Sequence, residues 1–345
     1  MLKRTVRSAM VVVLAFAVLK PLLAAGGYHV IKRIPIPGDT GWDYITADSD
    51  ARRLYVPHGV EVVVLDLDSG ATVGKIDGLK GVHGVAVAPD AGRGFISATD
   101  PGSVTIFDLK TLGVIDKVRV GDDPNGIIYD PSTHRVFSAD RGSKRVTAID
   151  TKSGKIVATS ADLGGRTEHL AADGAGHVFI NMQDKGTMLR LDARDLRGLD
   201  TWTLQGCGQP SSMDIDRAHH RVFVGCRSGE LAVLNADTGK IVATQPIGPG
   251  VDALEFDPAN ALVFVSTGGG DGALSIFHED SADTFSVVEN VKTLPGARTM
   301  ALDHKTGVVY EPVASVGPAP TSTAENPRPR APMVPGSFSV LVVGR

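Results

Sequence analysis

Seven polar residues recur along the chain, one in each of seven similar stretches of sequence. They are Asp43, His83, Asn125, Glu168, Ser211, Asp252 and Arg298. Four of them carry the hard oxygen atoms that Ca²⁺ accepts, and these candidate metal ligands are Asp43, Asn125, Glu168 and Asp252. His83, or His169 beside Glu168, could act as a general base. If the fold gathers these residues, they could bind a ligand or a cation, and metal-assisted hydrolysis is one use of such a site.

The chain lacks the short motifs of several other chemistries. The patterns HExxH, CxxC, CxxCH and GxSxG do not occur, so a zincin, a redox dithiol, a c-type haem and a hydrolase nucleophile elbow are unsupported. No serine nucleophile can be assigned. His219 and His220 fall in a predicted hairpin turn, where we expect them to be exposed and far from the seven polar residues.

The composition is that of a globular protein that turns often. Of its 345 residues, 42% are hydrophobic, and 40 Gly with 20 Pro argue against long helices. The formal charge is −4, and removing residues 1–25, which hold two Lys, two Arg and no acid, makes it −8. An acidic protein with no basic run is poorly suited to nucleic acid, so no such partner is predicted.

Residues 1–25 have the three parts of a secretory signal peptide. Lys3, Arg4 and Arg7 form a basic start, residues 9–19 form an apolar run, and small residues follow for cleavage. The apolar run is too short to cross a bilayer, so no membrane span is predicted after cleavage. An uncleaved anchor is the alternative. The sequence thus predicts a periplasmic or secreted protein whose mature domain is residues 26–345.

The strands that must position the polar residues belong to one structural unit, which is repeated seven times along the chain. An apolar strand ends in a polar residue before a turn at Asp66, Asp108, Asp150, Asp192, Asn235 and His278. The successive spacings are 42, 42, 42, 43 and 43 residues. Each unit predicts four short strands with no helix between them. A period near 42 with four strands per unit is typical of a β-propeller blade.

The two ends of the chain predict how the ring of blades closes. The seventh unit supplies strands near residues 299–303, 308–311 and 338–343 and lacks a fourth. We expect the extra strand at residues 28–36 to complete that blade and remove an open sheet edge. The predicted fold class is all-β, a seven-bladed propeller of four antiparallel strands per blade closed by the N-terminal strand. The first strands would line the channel, so the seven polar residues would surround one mouth of it.

The repeats resemble a known family. Strands such as Leu54-Tyr55-Val56 and Val263-Phe264-Val265, with the Asp-Thr-x-x-Gly-Lys turn at residues 150–155, resemble the YVTN-type β-propeller repeats of exported bacterial proteins. The resemblance covers residues 28–345 and implies the fold, but it implies no particular activity. The polar channel mouth resembles that of calcium-dependent lactonase propellers, which would imply a bound Ca²⁺.

The two cysteines fall within the fifth unit. Cys207 precedes the first strand of that unit and Cys226 ends the second. Because these strands are antiparallel, the start of one lies near the end of the other, and the side chains could meet. An oxidising compartment then favours a disulfide, with two buried thiols as the alternative.

Residues 311–336 form a proline-rich insertion in the seventh unit. Seven prolines lie within it, and proline favours an extended, solvated backbone. The insertion joins the second and third strands, which places it on the same face as the polar channel mouth. A lid, a segment that docks a partner and mobile filler are the alternatives.

Two functional hypotheses from different classes follow. The first is a non-enzymatic binding or interaction protein that uses the channel-mouth face for a small molecule, an envelope component or a protein partner. The alternative is a calcium-dependent hydrolase of a lactone or similar ester, in which a histidine activates water. The first needs no catalytic group.

Overall fold

The computed structural model describes residues 26–318, 320, 321, 323 and 331–345. The predicted signal peptide, residues 1–25, lies outside this part of the chain, as does the centre of the proline-rich insertion. The helical content of the described residues is one 3-10 turn, Pro89–Ala91. None of the described residues form a helix long and apolar enough to cross a membrane.

In the described residues, 28 strands form seven four-stranded antiparallel sheets, which are the blades. The strands of blades 1 to 4 are β2 Thr46–Asp48, β3 Arg53–His58, β4 Glu61–Asp66, β5 Thr72–Ile76, β6 Val82–Ala88, β7 Arg93–Ala98, β8 Ser103–Asp108, β9 Val114–Arg119, β10 Pro124–Asp130, β11 Arg135–Asp140, β12 Arg145–Asp150, β13 Ile156–Thr159, β14 Thr167–Ala172, β15 His177–Met182, β16 Thr187–Asp192 and β17 Gly198–Thr203. The strands of blades 5 to 7 are β18 Pro210–Asp216, β19 Arg221–Cys226, β20 Glu230–Asn235, β21 Ile241–Pro246, β22 Val251–Asp257, β23 Leu262–Thr267, β24 Ala273–Ser281, β25 Thr284–Lys292, β26 Ala301–Asp303, β27 Val308–Val313 and β28 Ser339–Gly344, with β1 His29–Pro35 as the fourth strand of blade 7. The first strands contact one another in a closed circle from β2 through β6, β10, β14, β18, β22 and β26 back to β2. The predicted seven-bladed propeller is confirmed.

The second strand of each blade supplies the buried centre of its sheet. An aromatic residue occupies the same position in all seven blades and is buried, at Tyr55, Phe95, Phe137, Phe179, Phe223, Phe264 and Tyr310. Burying such a side chain contributes about 1.5–3 kcal/mol. Fourth strands are mostly exposed, as in β9. The apolar cores therefore lie near the channel and between adjacent blades.

The turns between third and fourth strands follow the predicted chemistry. A carboxylate oxygen of Asp66 accepts a hydrogen bond from the backbone N–H of Ser69 at 2.8 Å, and Asp150 accepts one from Ser153 at 2.7 Å. Gly154 follows with a φ of 70°, in the left-handed region that glycine adopts without strain. Local sequence thus determines where each blade turns outward.

The ring is closed by the N-terminal strand. β1 pairs antiparallel with β28, from His29 opposite Gly344 to Pro35 opposite Ser339. The backbone N–H of Ile36 continues the pairing by donating to the carbonyl oxygen of Phe338 at 3.0 Å. The predicted closure is confirmed.

Blade 5 contains the predicted disulfide. Cys207 and Cys226 are bonded, with their Cα atoms 5.2 Å apart. Cys226 is the last residue of β19, and the next residue, Arg227, lines one mouth of the channel. The covalent link therefore fixes the backbone from which Arg227 projects.

The described ends of the proline-rich insertion form a short antiparallel hairpin. Val316 forms an isolated bridge with Met333, and the backbone N–H of Gly317 donates to the carbonyl oxygen of Pro332 at 2.8 Å. The backbone N–H of Gly336 donates to a carboxylate oxygen of Asp39 at 2.7 Å. Asp39 belongs to the segment that leads to Asp43, so the base of the insertion is fastened beside the channel mouth.

Candidate functional site

One mouth of the channel is a cavity of about 640 Å³, which we call the polar mouth. Six of the seven predicted polar residues line it: Asp43, His83, Asn125, Glu168, Asp252 and Arg298. Ser211, the seventh, is buried instead, and its hydroxyl donates to the carbonyl oxygen of Val251 at 2.6 Å. The structure therefore brings together residues from six blades.

Irregular strand starts aim these side chains into the cavity. The pairing register shifts at the start of the first strand in blades 2 to 6, where the polar residues lie. Such bulges re-aim side chains next to functional sites. Gly126 follows Asn125, and a Cβ there would lie 2.5 Å from the carbonyl oxygen of Glu168, so glycine lets the next blade approach closely.

Asp252 is held by two arginines. Its Oδ1 accepts from Arg227 Nη2 at 2.5 Å, and its Oδ2 accepts from Arg298 Nε at 2.9 Å. The Arg298 guanidinium also lies over the ring of Trp42, 5.6 Å from its centroid. Both oxygens of this buried carboxylate therefore accept from cations, one from each neighbouring blade.

A second chain of contacts crosses the other side of the polar mouth. His83 Nδ1 lies 2.6 Å from Asp43 Oδ2, and His83 Nε2 lies 2.8 Å from the hydroxyl of Thr99. That hydroxyl donates to Asp123 at 3.0 Å, and Arg141 binds both oxygens of Asp123 at 2.7 and 3.0 Å. Because both ring nitrogens of His83 make contacts, its imidazole is held in one orientation within this network.

Four charged or amide side chains of the polar mouth were not predicted from the sequence. They are Arg141, Arg166, Gln183 and Arg227. Three of them directly follow a second strand, namely Arg141 after β11, Gln183 after β15 and Arg227 after β19. The residue that follows the last position of each second strand would have identified these three, because second strands end beside the starts of first strands.

Four buried polar atoms of the polar mouth have no hydrogen-bond partner among the described residues: Trp42 Nε1, Glu168 Oε2, Asn125 Oδ1 and Arg227 Nε. The nearest cation to Glu168 Oε2 is Arg166 Nε, at 3.8 Å. Burial raises the pKa of Glu168 to about 7, and the carboxylate of Asp252 adds to the shift. Buried polar groups normally find a partner, so these atoms point to a ligand.

His169 faces away from the polar mouth. It lines a second cavity of about 610 Å³ at the other end of the channel, the opposite mouth. Its ring lies 5.2 Å from that of Tyr44, whose hydroxyl donates to Glu168 Oε1 at 3.3 Å, so both rings lie between the two cavities. Burial lowers the pKa of His169 to about 4, which keeps the imidazole neutral.

The predicted calcium ligands are not gathered around one point. Among the described residues, the one group of three His, Cys, Asp or Glu side chains with ligand atoms within 4.8 Å is elsewhere, at Asp216, His219 and Glu279. Both oxygens of Asp252 already accept from arginines. The calcium site stays a prediction that this geometry does not favour.

A family model matches more than half of the chain. Residues 58–266 match the PQQ_2 family, described as outer membrane protein assembly factor BamB. The chain belongs to this family. The match spans blades 1 to 6 of this BamB-family propeller, from the end of β3 to the end of β23. The narrower YVTN resemblance stays a prediction. The chain matches no curated protein.

Solved structures with the same fold are distant in sequence. The structure of U3-55K has a TM-score of 0.74 at 11% identity, covering 91% of this chain and 99% of that chain. The mitotic checkpoint complex has a TM-score of 0.75 at 14% identity, covering 99% of each chain. Hydrazine synthase of Kuenenia stuttgartiensis has a TM-score of 0.68 at 16% identity, covering 80% of this chain and 94% of that chain. These likenesses establish the fold alone.

Proposed function

We propose that this protein is a non-enzymatic interaction propeller of the cell envelope, and that its polar mouth binds a polar segment of a protein partner. Membership in the BamB family supports an interaction role. The disulfide and the predicted signal peptide at residues 1–25 are compatible with an envelope or periplasmic location.

The observation that carries the proposal is the set of unpartnered atoms in the polar mouth. Glu168 Oε2 and Asn125 Oδ1 need donors, and Arg227 Nε needs an acceptor. A peptide main chain offers both kinds of group, and a cavity of about 640 Å³ is large enough for a few residues of a loop. A partner that inserts a loop would complete these hydrogen bonds.

The alternative, a calcium-dependent lactonase, has less support. It needs Asp252 as a metal ligand, yet both oxygens of this side chain accept hydrogen bonds from arginines. It also needs a histidine to activate water, and His83 has both nitrogens engaged. We therefore do not extend the proposal to hydrolysis.

Site-specific photocrosslinking in intact cells tests the proposal. A photoreactive residue replaces Arg166 at the polar mouth or, as the matched control, Lys305 at the opposite mouth; their side chains are 48% and 51% exposed. We expect one defined envelope protein to crosslink from position 166 and not from position 305. Adding Glu168→Gln should reduce that adduct several-fold, since an acceptor is lost. No adduct at 166, or equal adducts at both positions, would refute the proposal.

A further inference from the structure

A second cluster of polar residues lies between blades 5 and 6, away from the polar mouth. Asp216 is the last residue of β18, His219 is in the turn that follows, and Glu279 comes from β24 of the next blade. One ligand atom from each lies within 4.8 Å of the others. His219 Nδ1 is 2.5 Å from Asp216 Oδ2 and 3.5 Å from Glu279 Oε1.

An unusually long hairpin brings Glu279 to this place. β24 has nine residues, whereas the third strands of the other six blades have six each in the described residues. Arg221 of blade 5 fastens the hairpin tip, donating to the carbonyl oxygen of Ala282 at 3.0 Å and pairing with Asp283 at 2.7 Å. The extension therefore carries a carboxylate across the boundary between two blades.

Glu279 supplies an independent indication of a ligand. Its side chain is 2% exposed, and its Oε1 has no hydrogen-bond partner among the described residues. Two buried carboxylates here face one half-exposed imidazole, and an unpaired buried charge is strongly unfavourable.

In the corresponding turns of two other blades, the aspartate accepts hydrogen bonds from side chains of its own turn and contacts no such carboxylate in the described residues. Asp130 accepts from the hydroxyls of Ser132 and Thr133, and Asp257 accepts from the side chain of Asn260. Blade 4 has the same kind of Asp–His pair, with His177 Nδ1 2.6 Å from Asp173. In the described residues that pair has no third carboxylate from the next blade. Asp216 also makes ordinary turn bonds, accepting from the backbone N–H groups of Ala218 and His219, so the trio differs from the other turns through Glu279.

We propose that Asp216, His219 and Glu279 form a binding site for a divalent transition metal ion, with Zn²⁺ as the best match. Two carboxylate oxygens and one imidazole nitrogen are donors that Zn²⁺ accepts, at about 2.0–2.2 Å each. His219 is 54% exposed, so an ion can enter and its imidazole can move by the fraction of an ångström needed to admit it. The remaining coordination position is open to water. Such an ion would satisfy Glu279 Oε1 and link blade 5 to the long hairpin of blade 6.

Calorimetric titration of the tag-free protein with Zn²⁺ tests this site. We expect one site of micromolar affinity in the wild type and binding at least ten-fold weaker in His219→Ala and in Glu279→Gln. His177→Ala is the matched control, because it removes a histidine from the same kind of pair, and it should bind as the wild type does. Undiminished binding by His219→Ala, an equal loss in His177→Ala, or no binding by the wild type would overturn the proposal.

Two further measurements keep the outcome clear. Zn²⁺ should raise the melting temperature of the wild type and of His177→Ala, and it should not raise that of His219→Ala, since the ligand stabilises only the fold that binds it. His219 is exposed, so its substitution tests the site even if Glu279→Gln fails to fold. Binding of Ca²⁺ in preference to Zn²⁺ would contradict the assigned chemistry. None of these results depends on a partner at the polar mouth.

Discussion

The two mouths of the channel hold their buried acids in different ways. At the polar mouth, Asp252 accepts from two arginines, and Asp123 accepts from a third. At the opposite mouth, burial raises the pKa of Glu255, and the nearby carboxylate of Asp214 adds to the shift. In the described residues, the basic side chain within 4 Å of Glu255 is that of His304, whose Nε2 lies 3.7 Å from Glu255 Oε2. Asp252 and Glu255 are on the same first strand, β22, so the neighbouring segments decide whether an acid is paired.

The polar mouth therefore combines Asp252, which two arginines hold, with Glu168, whose Oε2 has no hydrogen-bond partner among the described residues and whose pKa burial raises to about 7. At the opposite mouth burial raises the pKa values of both Glu255 and Asp214, and in the described residues no arginine pairs with either carboxylate. The disulfide at Cys226, the residue before Arg227, also restrains the backbone at the polar mouth. Four predictions test this comparison of the two mouths, in order of decreasing effect.

Removing the disulfide should have the largest effect. Cys207→Ser combined with Cys226→Ser opens a link between residues 19 apart in sequence, and we expect a loss of about 3 kcal/mol in the free energy of unfolding. Urea denaturation measures this. Hydrogen exchange should also quicken around Arg227 and stay unchanged at Asp214; equal changes at both mouths would contradict the comparison.

Glu168 should make the wild type less stable as the pH rises. Its folded pKa of about 7 exceeds the ordinary value of 4.5, so the folded state holds a proton that the unfolded state has lost between these two values. Stability should therefore fall by about 2–3 kcal/mol from pH 4.5 to pH 8 on account of this group. In Glu168→Gln that part of the fall should vanish in urea titrations, and parallel pH profiles would disprove the assignment.

Arg227→Ala should destabilise the polar mouth by about 2 kcal/mol, because Asp252 loses one of its two cations while it stays buried. The matched control is Arg217→Ala at the opposite mouth. Arg217 donates only to the carbonyl oxygen of Ala172 in the described residues, and its loss should cost under about 1 kcal/mol. Chemical denaturation at pH 7 compares the free energies of unfolding of the two variants. An equal loss in both would show that the arginine pairing of Asp252 adds no stability beyond that of an ordinary hydrogen bond.

Glu255→Gln should have the smallest effect and the same sign as Glu168→Gln. The raised pKa of Glu255 means that ionisation disfavours the fold, so the variant should gain about 1 kcal/mol over the wild type at pH 8 and nothing at pH 4. The side chain of Glu255 is 27% exposed against 4% for Glu168, so solvent reduces the effect. Thermal melts at both pH values measure it. A gain at pH 4 as large as that at pH 8 would exclude titration as the cause.

Most of the fold, and six of the ten charged or polar residues that line the polar mouth, could be predicted from the sequence. Six of the seven predicted polar residues line the cavity, because the same repeat position lies at the same height in each blade. Ser211 does not, since its hydroxyl is taken up by the carbonyl oxygen of Val251. His169 faces the other cavity, because neighbouring strand residues point in different directions. Arg141 and Arg227 were not predicted, because they follow second strands and the prediction considered positions on first strands only.

The sequence alone indicated the number of blades and their turns, and it favoured the disulfide over two buried thiols. These features depend on alternation of apolar residues, on turn residues and on pairs close together within one unit, all of which are local. The closing strand joins distant parts of the chain, but it too could be predicted, because counting strands left the seventh blade one short and the N-terminal strand without a blade. Only the tertiary structure decided which arginine meets which acid and that Glu279 meets His219, 60 positions before it. Such contacts cross between blades, and their geometry depends on how adjacent sheets twist and how far one hairpin extends, which no repeat pattern contains.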